Sequence, residues 1–115
     1  MKEGTMAAKP AARSLREGIG AEVYVFGDAE GDYLVRPAQA AVHPNERILF
    51  WNMTKSSIQV CIPGVRRVQI GAGGEKGVLI SKPRGVYRYE VLVEIKSGLV
   101  ARARGESPPW IIVRP

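Results

Sequence analysis

The chain of 115 residues has one cysteine and one histidine. A lone Cys61 cannot close an internal disulfide, so a disulfide-framed secreted scaffold is excluded. His43 has no close neighbour in sequence that would complete a metal site. No apolar run approaches the roughly 18–20 residues of a membrane-spanning helix. The N-terminus lacks the apolar stretch of a secretory signal peptide, and a cytoplasmic location is therefore expected. No window of about ten residues carries a 3.6-residue apolar stripe, so any helix is short, and Gly98–Arg104 is the expected place for one. No segment repeats at a fixed period.

What is present is a β-rich pattern in a basic chain. Hydrophobic residues make up 45% of the sequence, enough for a packed core in a chain of single-domain size. The 13 glycines and 8 prolines punctuate it at short intervals, which favours many short strands. The net charge of +6 suits an acidic partner, whether protein, nucleic acid or anionic surface.

Residues 1–20 are rich in Ala, Lys and Arg and read as a flexible basic tail; residues 21–115 form the domain. Strand candidates are Ala21–Phe26, Tyr33–Val35, Ala38–Val42, Ile48–Asn52, Ile58–Ile62, Val68–Ile70, Val78–Ile80, Val86–Ile95 and Trp110–Val113. Some of these are brief, and about seven or eight strands are expected. Turn signals fall every 8–12 residues or so, the mark of a β-sandwich or barrel.

Three segments, in this order, resemble the cupredoxin family. Val42-His43-Pro44-Asn45-Glu46-Arg47-Ile48-Leu49-Phe50-Trp51-Asn52 is similar to the family's V-x-P-G-D-x-V-x-F-x-N turn and strand. Ile70–Gly74 through Val78–Ile80 resembles the segment before the final hairpin, and Lys82–Tyr89 resembles P-G-x-Y-x-Y. The resemblance covers Ala21–Pro115 and implies an all-β Greek-key sandwich of cupredoxin type. An immunoglobulin-like or other Greek-key sandwich is the competing architecture.

The family's copper site takes two imidazoles, a thiolate and usually an axial thioether. Here the loop expected to carry the first histidine is Met53-Thr54-Lys55-Ser56-Ser57, and the thiolate position is Val91. Leu92–Arg102 offers neither histidine nor methionine, His43 falls in an earlier turn, and Cys61 follows another strand. The resemblance thus implies the fold without its copper, and no metal or other cofactor is expected.

Other motifs read as structure. Cys61, between Val60 and Ile62, is expected to be a small buried hydrophobe. Asp28, Glu30 and Asp32 alternate like the start of a calcium loop but lack its glycine and terminal glutamate, so they read as a solvated turn. Gly71–Lys76 lacks the Ser/Thr and the helix of a phosphate loop. Trp110, after Pro108-Pro109, is expected to pack at one end of the sandwich.

The expected core is Val23, Val25, Ile48, Phe50, Ile58, Val60, Tyr87, Tyr89, Val91, Ile111 and Val113. The candidate partner or anion site is Arg66, Arg67, Arg84, Arg88, Arg102 and Arg104. No catalytic constellation and no small-molecule substrate are expected. The expected function is a non-catalytic interaction or assembly module whose partner is protein, self or other. The alternative is nucleic-acid or polyanion binding through the basic loops.

Overall fold

A computed structural model describes residues 18–27, 32–96, 99–104 and 109–115. The greater part of the tail, residues 1–17, and the Asp28–Gly31 stretch of the acidic turn lie outside the described residues.

The described residues form eleven strands: β1 (Ile19–Gly27), β2 (Tyr33–Arg36), β3 (Gln39–Val42), β4 (Arg47–Asn52), β5 (Ile58–Cys61), β6 (Val68–Ile70), β7 (Glu75–Leu79), β8 (Gly85–Arg88), β9 (Glu90–Lys96), β10 (Leu99–Arg102) and β11 (Trp110–Val113). They pair in three ladders, β2-β1-β4-β7, β10-β9-β5-β6 and β3-β11-β8. The parallel neighbours β1–β4 and β3–β11 need crossover connections, so sequence neighbours are often not sheet neighbours.

Alternation writes the core. In β4, Ile48, Phe50 and Asn52 are buried while Arg47, Leu49 and Trp51 face outward. Inward residues of all three ladders merge into one cluster, with Val23, Phe50, Ile58, Val91 and Ile111 fully buried. Every expected core residue belongs to it except Tyr87, which packs against it half-buried. Phe50 and Tyr89 meet edge to face at 5.9 Å between centroids.

The expected helix is corrected. Leu99–Arg102 is β10, a hairpin partner of β9, with Val100 opposite Glu94 and Ala101 opposite Val93. The physical reason is period two: Val100 and Arg102 are exposed and Ala103 is buried, so one face serves the core. The strand count also rises. The run expected as one strand, Val86–Ile95, is divided at Tyr89, where the chain leaves one ladder and enters another. β1 begins at Ile19, two residues before the expected domain start, and pairs with Arg47 of β4.

Two turns explain local sequence. At His43–Glu46 the Glu46 N–H donates to the His43 carbonyl at 3.2 Å, with Pro44 and then Asn45 at φ 67° in the middle. That is a type II geometry, and Asn tolerates the left-handed position that Gly would otherwise take. At Ile62–Val65 the Val65 N–H donates to the Ile62 carbonyl at 3.0 Å, with Gly64 at φ 75° behind Pro63. Proline sets the first corner, glycine supplies the second, and β5 is turned away from its ladder.

Asn52 organises the loop after β4. Its buried amide nitrogen donates to the carbonyls of Ser56 (2.7 Å), Ile70 and Gly71 (both 3.0 Å). Its Oδ1 accepts from Thr54 N–H (3.0 Å) and Thr54 Oγ1 (2.7 Å). The Asn52→Asp variant keeps the size but turns the donors into a charge facing three carbonyls. It is expected to lose about 3–5 kcal/mol of stability at neutral pH in urea denaturation, as an uncompensated buried charge does. A loss under about 1 kcal/mol would show that the loop does not depend on this side chain.

Tyr89 is 1% exposed, and its hydroxyl has no hydrogen-bond partner. Burial pushes the phenol well above its ordinary value. The folded state therefore holds the proton more tightly than the unfolded chain. Stability is retained below the unfolded value near 10 and falls as pH rises past it. Tyr89→Phe removes an unsatisfied donor and is expected to gain about 1–2 kcal/mol in urea denaturation at pH 7. It should also flatten part of the alkaline decline. A destabilised variant would mean that the hydroxyl is engaged.

Candidate partner-binding cleft

An open cleft of about 520 Å³ lies where the chain passes from β8 to β9, lined by Cys61, Ile62, Pro63, Val65, Arg67, Arg88, Tyr89 and Glu90. Its origin is the turn just described. β5 pairs with β9 as far as Cys61 opposite Glu90, and then Pro63-Gly64 carries the chain away. The cleft fills the angle between that departing segment and the start of β9.

The apolar wall is Ile62, Pro63 and Val65, and the charged wall is Arg67, Arg88 and Glu90. Arg67 is steadied by Gln59, whose Oε1 accepts from its Nη1 at 3.2 Å. The Arg88 guanidinium lies 5.1 Å from the centre of the Trp110 ring, directly opposite it in the β8–β11 register. Such a contact holds the cation over the ring face. Glu90 is paired with Arg102 at 2.9 Å, an exposed bridge worth little to stability but enough to offset the carboxylate.

The sequence-predicted arginines thus divide. Arg67 and Arg88 line the cleft, and Arg102 reaches it through Glu90. Arg66 is exposed but does not line it. Arg84 precedes Gly85 at the far end of β8, roughly 13 Å along the strand from Arg88. Arg104 lies elsewhere, bridging Leu34 beside β2, where its carbonyl accepts from Val35 N–H. Of the six, only Arg67 and Arg88 line the cleft.

Other residues stand differently from expectation. Cys61 is half-buried and lines the cleft rather than filling the core, because it alternates with the inward Ile58 and Val60 and shares the outer side of β5 with Gln59. Trp110 is half-buried and serves as the platform under Arg88. Glu90, two residues beyond Arg88 in an extended run, shares its side as the alternation implies, but it is not among the expected site residues. Pro63-Gly64 directly after a strand was the available signal for the cleft.

The residues at the family's copper positions do not fit copper. Val91 is fully buried and apolar, and Met53 is 63% exposed in the loop pinned by Asn52. His43 Nδ1 lies 3.4 Å from the Pro115 carbonyl oxygen, in the turn between β3 and β4. Among the described residues no group of three or more His, Cys, Asp or Glu side chains is placed to hold a metal ion. Among them, too, no helix is long and apolar enough to cross a membrane.

No protein-family model and no curated protein matches the chain. Solved structures do. A laccase-like multicopper oxidase from Ochrobactrum sp. superposes with a TM-score of 0.57 at 15% identity, over 92% of this chain and 34% of that one. This chain therefore spans about a third of that protein's length. Lac15 from a marine microbial metagenome gives a TM-score of 0.48 at 14% identity, over 82% of this chain and 32% of that one. Auracyanin from Roseiflexus castenholzii gives 0.47 at 13% identity, over 84% and 98%. With the ladders described above, the first of these likenesses identifies the fold: the chain is a β-sandwich of cupredoxin type.

Proposed function

We propose that this domain is a non-catalytic interaction module that binds an acidic segment of a protein partner at the Arg67–Arg88 cleft. One observation carries the reading. Two arginines line an open cleft whose one carboxylate among the described residues is already offset by Arg102. Guanidinium forks match carboxylates in geometry and charge. Exposed Pro63 and half-buried Val65 offer apolar contact beside them.

Two features support protein over nucleic acid. Single-stranded nucleic acid is held largely by stacking on open aromatic faces. The aromatic ring next to the cleft, Trp110, already carries Arg88 over its face. Of the six arginines, Arg67 and Arg88 line the cleft, while Arg104 bridges to β2, so the charge at the cleft is local. The cleft has a thiol and one carboxylate but no imidazole among its lining residues, which supports a binding role over acid–base or nucleophilic catalysis. A reducing cytoplasmic setting, in which Cys61 stays a free thiol, belongs to the same reading.

The test is fluorescence anisotropy with a labelled oligoglutamate peptide and, separately, oligothymidylate, at low and moderate salt. The peptide is expected to bind and to weaken as salt screens the charges. Arg67→Ala and Arg88→Ala should each weaken it about tenfold, while Arg104→Ala should leave it unchanged. Binding of the oligonucleotide in preference to the peptide would replace this reading with the nucleic-acid one. Equal effects of all three variants would show that the cleft is not the site.

A further inference from the structure

The side on which each backbone group of β8 points can be read from the ladders. Trp110 N–H donates to the Ala38 carbonyl and Arg114 N–H to the Val42 carbonyl, both at 2.8 Å, so the even residues of β11 face β3. Backbone groups alternate sides along a strand, so Ile111 and Val113 face β8. Their register partners Tyr87 and Gly85 therefore face β11. Tyr89 N–H continues that side, donating to the Pro109 carbonyl at 3.1 Å. Val86 and Arg88 consequently point their N–H and C=O groups the other way.

That other way is the β5 side. Further along the same run, Glu94 N–H donates to the Ser57 carbonyl at 3.0 Å, and Glu90 opposes Cys61. β5 thus pairs with this side of the run only as far as Glu90. Beyond it the Pro63-Gly64 turn removes the partner strand, and proline could not have donated to the ladder in any case. Among the described residues β8 is an edge strand with no strand paired on that side, and Lys82 reaches from the Tyr87 ring to Gly64 of the departing turn. Val86 is 59% exposed there.

We infer that the open edge of β8 receives the partner's acidic segment as an added strand, continuing the line that β5 abandons at Ile62. The inference rests on the acidic-partner reading and supplies its binding mode. Main-chain pairing to Val86 and Arg88 would give affinity, and the side chains around the edge would give selection. Those side chains are basic. Arg67 and Arg88 stand at one end and Arg84 at the other, while Lys82, on the Tyr87 face of the strand, holds its Nζ 4.8 Å from the centre of that ring. Glu90, the one acid lining the cleft among the described residues, is held by Arg102. An extended segment with acidic residues at alternate positions presents its carboxylates on one face and its backbone to β8.

The probe is a short capped peptide of alternating glutamate and threonine, titrated into the full chain. One copy is N-methylated at its glutamates and another at its threonines. In an added strand only one of these two sets donates to β8. One methylated copy is therefore expected to lose about tenfold or more in affinity while the other stays close to the parent. The Val86 and Arg88 amides should exchange more slowly with parent peptide bound. Equal behaviour of the two copies, with Val86 and Arg88 exchange unchanged, overturns strand addition. If Arg67→Ala and Arg88→Ala still weaken the parent peptide in that case, the acidic-partner reading survives without it. If the parent peptide does not bind at all, both fail together.

Discussion

Backbone hydrogen bonding along Gly85–Lys96 is the constraint around which this sandwich is arranged. The run is nearly continuous, yet it serves two ladders: its first part pairs with β11 and its second with β10 and β5. Buried N–H and C=O groups must find partners, so the strands on either side have to change where the run changes. On one side β11 and β10 divide the work, with Tyr89 N–H taken by Pro109 and the Val91 carbonyl taken by Ala103 N–H. On the other side β5 covers only the second part. The cleft and the open edge both follow from that single shortfall.

Tyr89 marks the cost of the arrangement. It stands at the change of ladder, its ring wedged edge-on to Phe50 in the core, and its hydroxyl carried in without a partner. A buried unpaired hydroxyl opposes folding by about 1–3 kcal/mol. The ring more than offsets this, since burying an aromatic side chain removes a large apolar area from water. The contrast with Asn52 is instructive. There a buried polar side chain is matched on both its oxygen and its nitrogen, and it ties β4 to the loop after β6. One polar group specifies structure; the other is tolerated because of what surrounds it.

The sequence displayed much of this fold, and the reasons are local. Alternation in Ile48–Asn52 and Trp110–Val113 fixed those strands and their inward residues, because a half-buried strand has a period of two. Pro44-Asn45 and Pro63-Gly64 announced their turns through backbone chemistry. Hidden from view were consequences of pairing across the chain. An unbroken β-branched and aromatic run such as Val86–Ile95 gives no hint that it changes ladders at Tyr89. Val100-Ala101-Arg102 suits a helix as well as a strand until β9 lies beside it. The arginines could be named but not placed: Arg88 and Arg67 line one cleft because the Pro63-Gly64 turn follows β5, while Arg104 is drawn to β2.

An open strand edge is also a hazard, since it will pair with any extended chain, including another copy. The edge of β8 carries features that limit this. It is short, spanning Gly85–Arg88, and cations stand at both ends. Two copies meeting edge to edge would bring Arg84 and Arg88 of one against those of the other, and like charges across a strand pair repel. The same charges that discourage self-pairing would favour a strand bearing carboxylates. Repulsion of the wrong partner and attraction of the right one then come from the same side chains, which is how specificity arises as a difference between affinities. Lysine at both positions would keep the charge but lose the flat contact with Trp110 that holds Arg88 in place. On the reading proposed above, the cleft is therefore less a pocket for a small molecule than the vacant end of a ladder, with its selectivity written in the guanidiniums beside it.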